Sequence, residues 1–513
     1  SGAADGVAVI DLGGSKYAVL QGESGSIQAE FFGAIPNDGV VDDVAFQTAC
    51  DYATAAKIGK IKIGTGDFHF DKGFVLRDIV GGSYSFHSLS IEGANYAYAS
   101  LNKESTQFII SDGNTFGIGV ELGRNVKISN IVFKGQAVQP STFKTLIEGH
   151  DWTNGGVARD NRYSPHAAIV VDPFHTSVPS SYRYPDFGTD DYDTYNGGSN
   201  SGTSMLKIEG CSFSGFIVDI MVSPNGSSQN CDNITAVNCR SGGSKTFWAT
   251  GQNQSRANSI VNCYNVGYLD RFIDGDMYGS QQGTAPIVFD CNIAAGVKTL
   301  FSFNGGFTGV YFSHSYIESV FSLGKGSTTV PTVFNSTRVK FHIPTETFLP
   351  PYIFKGGMFS MEGGSLEYFS NCTTLFPFGF STGTYSPTFQ NVLIEGGLII
   401  REYSNFPSQN LGDINFLDVV DKCNTIINNN KKVIGTAKTH DSQTYSSMQG
   451  YAVLANNVYN NVNFSSGRAK IETENSNYFV EGIGSNSLTV DSVNLTATFT
   501  STDFDLLWEL LPM

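Results

Sequence analysis

The sequence predicts an all-β protein folded as a right-handed parallel β-helix, with an N-terminal capping helix and a C-terminal β-rich domain. Three observations predict it. The composition is turn-rich and charge-poor, a short motif returns with a period in the twenties, and a single amphipathic helix stands just ahead of the first strand pattern.

The 513 residues exceed what one ordinary hydrophobic core encloses, so several domains or one elongated repeat are expected. Charged residues are 15% against 40% hydrophobic, the reverse of the balance that keeps a chain disordered. Glycine is abundant, at 57 residues, which suits many tight turns better than long helices. The formal net charge of −16 repels nucleic acid and anionic membranes, so neither is expected as a partner. It also means that an acidic glycan would need a local basic pocket. No apolar run approaches the roughly 18 residues of a membrane helix, and no signal peptide is expected. Ser1 and Gly2 read as a cloning scar.

The repeat carries the fold. Residues 208–215 (IEGCSFSG), 237–243 (VNCRSGG), 261–267 (VNCYNVG) and 289–295 (FDCNIAA) align on Cys211, Cys239, Cys263 and Cys291, separated by 28, 24 and 28 residues. Phe312 with His314, Phe334 with Ser336, and Phe359 with Met361 continue the pattern. A period of this size is one coil of a solenoid per repeat, and like residues then stack in columns along its axis. Small apolar cysteines suit an inward column, so all four are expected as buried free thiols. An apolar-Glu-Gly recurrence at Glu92, Glu209, Glu362 and Glu395 extends the coils from about residue 60 to about residue 402.

A helix over 42–56 opens at Asp42 and Asp43 as a cap, and Ala45, Phe46, Ala49, Cys50 and Ala53 follow at helical spacing. An open solenoid end exposes its core, and a helix here would cover it. The run FFGAIPNDGVVDDVAFQTACDYA, followed by KIKIGTGDF, resembles the opening of pectate-lyase-like β-helix proteins, a superfamily with a large branch of bacteriophage tailspikes. Gly64 stands where that family usually has proline. The resemblance covers about forty residues. It implies a phage tailspike or capsular polysaccharide depolymerase, a homotrimer in the virion, joined to the tail or baseplate through its N-terminal side.

On this basis residues 1–30 form a connecting segment, 31–402 the β-helix, and 403–513 a separate β-rich domain for assembly or carbohydrate binding. Residues 150–203 interrupt the helix with a stretch rich in Tyr, Asp, Pro and Gly, periodic only at residues 167–171. Its segment NRYSPHAAIVVDPF also resembles a stretch found in tailspikes. A loop this long in a solenoid is usually functional.

Glycoside cleavage needs two carboxylates facing one linkage, and in a solenoid they can come from different coils. Glu318 is one candidate. Counting four positions past the stacked residue gives Gly215, Gly243, Gly267 and Ala295, and the coil of His314 places Glu318 there. The run from Tyr268 to Asp276 holds the others: Asp270, Asp274 and Asp276 as catalytic carboxylates, with Arg271 to bind an acidic sugar or pair with Asp270. Asp274 lies 44 residues before Glu318, close to two coils. A solvated glutamate and an Asp-held turn are the plain alternatives. Tyr268, Trp248 and Tyr163, with Trp152, Tyr182 and Tyr184, are candidates to stack on sugars. His314, on the parity of the cysteine column, reads as a core histidine or a substrate contact. Glu362 reads as a turn residue. No metal-ligand spacing appears among the histidines and cysteines, and the acidic run at Asp190, Asp191 and Asp193 lacks the ligand order of a Ca²⁺ loop, so no metal or cofactor is expected.

The function expected is binding and hydrolytic depolymerisation of a bacterial surface polysaccharide. The alternatives are a polysaccharide lyase, which would also need a neutraliser for a uronate carboxylate, and an adhesin that binds without cutting.

Overall fold

The computed structural model describes residues 25–95, 104–113, 115–136, 166–173, 202–222, 231–250, 257–267, 269–274, 287–302, 310–320, 322–325 and 332–341. The strands at 9–13 and 16–19, and those between 354 and 501, are described by backbone alone. The chain divides into two compact units, residues 1–149 with 157–308, and residues 150–156 with 309–513.

The first unit is a parallel β-helix. Each coil carries three short strands, and each strand pairs in parallel with its counterpart in the next coil. The first series includes Lys60–Lys62, Ser90–Glu92, Lys127–Ser129, Lys207–Glu209, Thr235–Val237 and Ser259–Val261. The second includes Gly66–Phe70, Thr106–Ile110, Ile131–Lys134 and Ser212–Ser214. The third runs through Phe74–Leu76, Phe116–Val120, Ala167–Val171, Val218–Val222, Thr246–Thr250, Leu269–Asp274 and Val297–Ser302. A single left-handed residue joins the first series to the second: Asn130, Gly210, Asn238, Asn262 and Cys291, with φ between 50° and 63°. Asparagine tolerates this conformation and bonds to its stacked neighbour, Asn262 Nδ2 donating to Asn238 Oδ1 at 2.6 Å.

The core follows from the alternation. Isoleucines stack in register on the first series, from Ile61 and Ile91 through Ile128 and Ile208. Phenylalanine rings form a line up the axis: Phe46, Phe108, Phe133, Phe213, Phe247, Phe272 and Phe289, with successive centroids 5.0–6.3 Å apart. At its lower end lies the helix Asp43–Ala55, which buries Phe46, Ala49, Cys50 and Ala53. The position of the helix matches the expectation, but Asp42 does not cap it. Its carboxylate makes no cap bond and instead accepts the amides of Ile35 and His69, tying the preceding loop to the first coil.

The cysteine column needs one correction. Cys211, Cys239 and Cys263 are buried free thiols, each one residue past the left-handed turn. Cys291 is itself the turn residue, with φ 54°, and is exposed. The inward place belongs to Asn292, whose Oδ1 accepts the amide of Cys263 and whose Nδ2 donates to Ile260 O, both at 2.7 Å. That coil is one residue longer than the cysteine spacing suggests.

The interruption is also divided. Residues 167–171 form a regular strand of the third series. His166 precedes it, fully buried, its Nε2 accepting the amide of Gln136 at 2.9 Å. Asp172 follows it and accepts the amides of Leu122 and Thr203, the Thr203 hydroxyl and the Cys231 thiol. The remainder of the expected interruption, with Trp152, Tyr163, Tyr182, Tyr184 and Asp190–193, lies outside the described residues.

The second unit also begins with parallel pairing. Val310–Ser313 and Tyr316–Val320 both pair with Thr332–Phe341, which pairs in turn with Phe359–Tyr368. Parallel pairing runs past residue 402, to Val433–Thr439. Only then does the character change, to the antiparallel strands Val462–Thr473, Ser476–Asp491 and Thr496–Ser501. Among the described residues, no helix is long and apolar enough to cross a membrane.

Candidate functional site

One column of the third series adjoins Phe247 and Phe272, whose rings belong to the central line, and so faces away from the axis; a second column, three residues further along each strand, packs against it. One reads Phe116, Ala167, Val218, Thr246, Arg271 and Thr299 in register. The other reads Val75, Gly119, Val170, Met221, Ala249 and Asp274. In the earlier coils they hold one buried apolar cluster that also takes in Tyr84 and Leu122. At the strand Leu269–Asp274 both columns turn charged at once.

There Arg271 Nη1 donates to Asp274 Oδ2 at 2.7 Å, with only 3% and 4% of the two side chains exposed. Arg271 therefore pairs with Asp274. Asp270 is also buried, and Thr246 and Thr299 flank Arg271. Among the described residues, Arg271 Nε meets no hydrogen-bond acceptor. A buried ion pair is a poor stabiliser, because desolvation offsets most of its attraction and a well-packed apolar pair is often as stable. Its presence on an outward face, where the preceding coils manage with valine and methionine, asks for another reason. Asp270 and Asp274 stand four residues apart on one extended strand, roughly 13 Å between backbones at about 3.3 Å per residue. Carboxylates flanking one glycosidic linkage are about 5–9.5 Å apart. Asp276 and Tyr268 lie outside the described residues.

Glu318 belongs to the second unit, and Asp274 to the first. Glu318 is partly exposed on Tyr316–Val320, where buried Ile317 alternates with outward Tyr316. Its register neighbour is Lys340, and that of Tyr316 is Arg338, whose guanidinium carbon sits 5.1 Å from the Tyr316 ring centre. The column that singled Glu318 out shifts by one residue. His314 is the left-handed turn residue of its coil, with φ 46°, and is exposed, so it is no core histidine. Counted from the turn, Glu318 corresponds to Ser214, Gly242, Val266 and Ala295 of the first unit, an outward column that also holds Lys134. A charge there is ordinary. Trp248 is wholly buried and offers no face to a sugar.

Sequence reasoning missed Asp219. It faces inward on Val218–Val222, wholly buried, and accepts the Ser241 hydroxyl. Burial pushes its carboxyl up to about 8, against the hydrogen bonds from Ser241 and Ser244, so it is mostly neutral at pH 7. The signal was present in VDIMV, an apolar strand broken by one acid. Glu92 and Glu209, from the apolar-Glu-Gly recurrence, sit just before the turn and pair with lysines.

No family model matches this chain, and no curated protein matches it. Among solved structures it is similar to a DFA-IIIase from Arthrobacter chlorophenolicus A6, with TM-score 0.48 and 10% identity over 77% of this chain and 94% of that one. It is also similar to the A-module of the mannuronan C-5 epimerase AlgE6 of Azotobacter vinelandii, with TM-score 0.36 and 12% identity over 80% and 93%. A third is ORF18 of Geobacillus virus E2, with TM-score 0.36 and 9% identity over 95% and 81%. These likenesses concern the fold alone.

Proposed function

We propose that this chain is a tailspike-type depolymerase, which binds a bacterial surface polysaccharide and cuts it by glycosidic hydrolysis. The observation that carries the reading is the Arg271–Asp274 pair, buried on the outward face of the solenoid. A long β-helix wall suits an extended polymer, and a desolvated carboxylate held by a guanidinium is a preorganised acid–base group. In this reading Asp274 works with a second carboxylate. Asp276, two residues further along, is the candidate for that role. Hydrolysis is favoured over β-elimination because the Arg271 guanidinium is already engaged by Asp274 and is poorly placed to neutralise a uronate as well. The homotrimer and the place in a phage tail belong to the same proposal.

The test is incubation with a panel of purified capsular polysaccharides, following chain length and reducing ends. Shortened chains with new reducing ends and no unsaturated product are expected. Ultraviolet absorbance rising with cleavage would replace hydrolysis by elimination. Retention of one glycan at constant chain length would make the protein an adhesin.

A further inference from the structure

The stacked thiols of the core have no part in the proposed glycan chemistry. Cys211, Cys239 and Cys263 are buried and hold the same inward place in three successive coils, fixed by the register beside them, Ser212 with Arg240 and Arg240 with Tyr264. Ile131 holds that place in the coil before and Asn292 in the coil after, so the ladder ends at three thiols. In-register backbones of a parallel pair are about 4.8 Å apart, within the roughly 4.4–6.8 Å between Cα atoms that a disulfide spans. All three sulfurs lean the same way. Cys211 Sγ lies 3.9 Å from Ile128 O, Cys239 Sγ 3.5 Å from Ile208 O and Cys263 Sγ 3.6 Å from Ala236 O, each a carbonyl of the preceding coil. Cys263 Sγ also accepts the amide of Cys239 at 3.3 Å, which seats it against its neighbour. Burial works against ionisation at Cys239, but hydrogen bonds from the Cys211 and Cys263 thiols help to outweigh it and bring that thiol below its usual range. Burial and the neighbouring Cys239 push the flanking two up. The middle sulfur is therefore the nucleophile of the three.

We propose that this ladder is a reversible redox site, in which Cys239 closes one disulfide with either Cys211 or Cys263 and so locks two successive coils together. An azodicarboxamide is a sufficient oxidant. Cys239 and one flanking thiol give it two electrons and two protons; one S–S bond forms, two S–H bonds are lost, and the azo group leaves as the hydrazine. The remaining thiol can then attack the Cys239 sulfur, form the other bridge and release the first partner, with no net oxidation. Cys211 and Cys263 stand two coils apart, about 10 Å, beyond the roughly 7 Å limit for bridging, so they do not join each other. In-register Cβ atoms keep nearly the strand spacing, somewhat more than the roughly 3.5–4.5 Å of a relaxed disulfide, and a strained bond of this kind is readily reduced. The inference is independent of what the protein cuts or binds.

The test treats the folded full chain with diamide, unfolds it in excess iodoacetamide, and digests it for mass spectrometry. The parent should give cross-linked peptides joining Cys239 to Cys211 or to Cys263, and dithiothreitol should reverse them. Cys211→Ser should keep the bridge between Cys239 and Cys263, and Cys239→Ser should lose every bridge in the ladder. Hydrogen exchange at residues 235–241 of the oxidised parent should slow by roughly ten- to three-hundredfold, the effect of closing a loop of about 25 residues less the strain. No ladder bridge in the oxidised parent, or a bridge between Cys211 and Cys263 in Cys239→Ser, would overturn the site. A bridge that leaves exchange unchanged would overturn the lock between coils.

Discussion

Glu30 bonds the backbone at position 64. Its carboxylate accepts the Gly64 amide, and a Cβ at that position would meet the same oxygen at 2.5 Å. The proline usual in pectate-lyase-like proteins would remove the donor and collide with the acceptor. Gly64→Pro should therefore destabilise by about 1–3 kcal/mol, the cost of a buried acceptor left unmet, read as a lower melting temperature. Asp219 makes a prediction of opposite character. Its carboxyl sits near 8 in the fold against 3.8 ordinarily, so the folded state holds a proton that the unfolded chain has lost. The resulting stability is complete below about pH 4, falls as pH rises, and is gone above pH 8, at up to about 1.4 kcal/mol per pH unit. Asp219→Asn keeps a neutral side chain of the same shape, so chemical unfolding between pH 5 and 8 should show that slope removed. An unchanged slope would mean that Asp219 is ionised in the fold. Neither residue was readable beforehand, because both depend on partners that only the coil stacking brings close: Glu30 for Gly64, and Ser241 for Asp219.

The capping helix was legible as an element because its apolar spacing is local. Its consequence lies in one ring. Phe46 touches Phe68, Phe70, Phe74 and Phe108 at 5.0–5.4 Å and begins the aromatic line of the core. Phe46→Ala should cost about 3–5 kcal/mol. In a quasi-one-dimensional stack that loss falls mainly on the nearest coils. Hydrogen exchange should accelerate at residues 66–70 and 106–110 and change little at 235–241; uniform acceleration would argue against local coupling. The role of Asp42 was not legible, because a cap and a loop tie look alike in sequence. The slip at Cys291 and His314 has a similar cause. The left-handed turn accepts Asn, Gly, Cys, His and Ser alike in this chain, so residue type alone did not mark the turn, and the stronger cysteine signal drew the alignment one place away.

At the scale of the molecule, the parallel solenoid was readable because stacking repeats the same side-chain demands every coil. The site was not, because a single outward pair repeats nothing. The charged run at Asp270, Arg271 and Asp274 was visible in sequence, but its burial, its orientation and the bond between Arg271 and Asp274 were not. A conservative Asp274→Asn change would strand Arg271 without its partner and confuse stability with chemistry. The double variant Arg271→Met, Asp274→Leu removes both charges and keeps volume, so the fold should survive near the parent melting temperature. The most direct test of the account is the rate at which parent and double variant release reducing ends from a polysaccharide that the parent shortens. The account predicts that the folded double variant is slower by about 10²–10⁴-fold, the usual worth of a general acid or base. A folded double variant that cuts at the parent rate would contradict it.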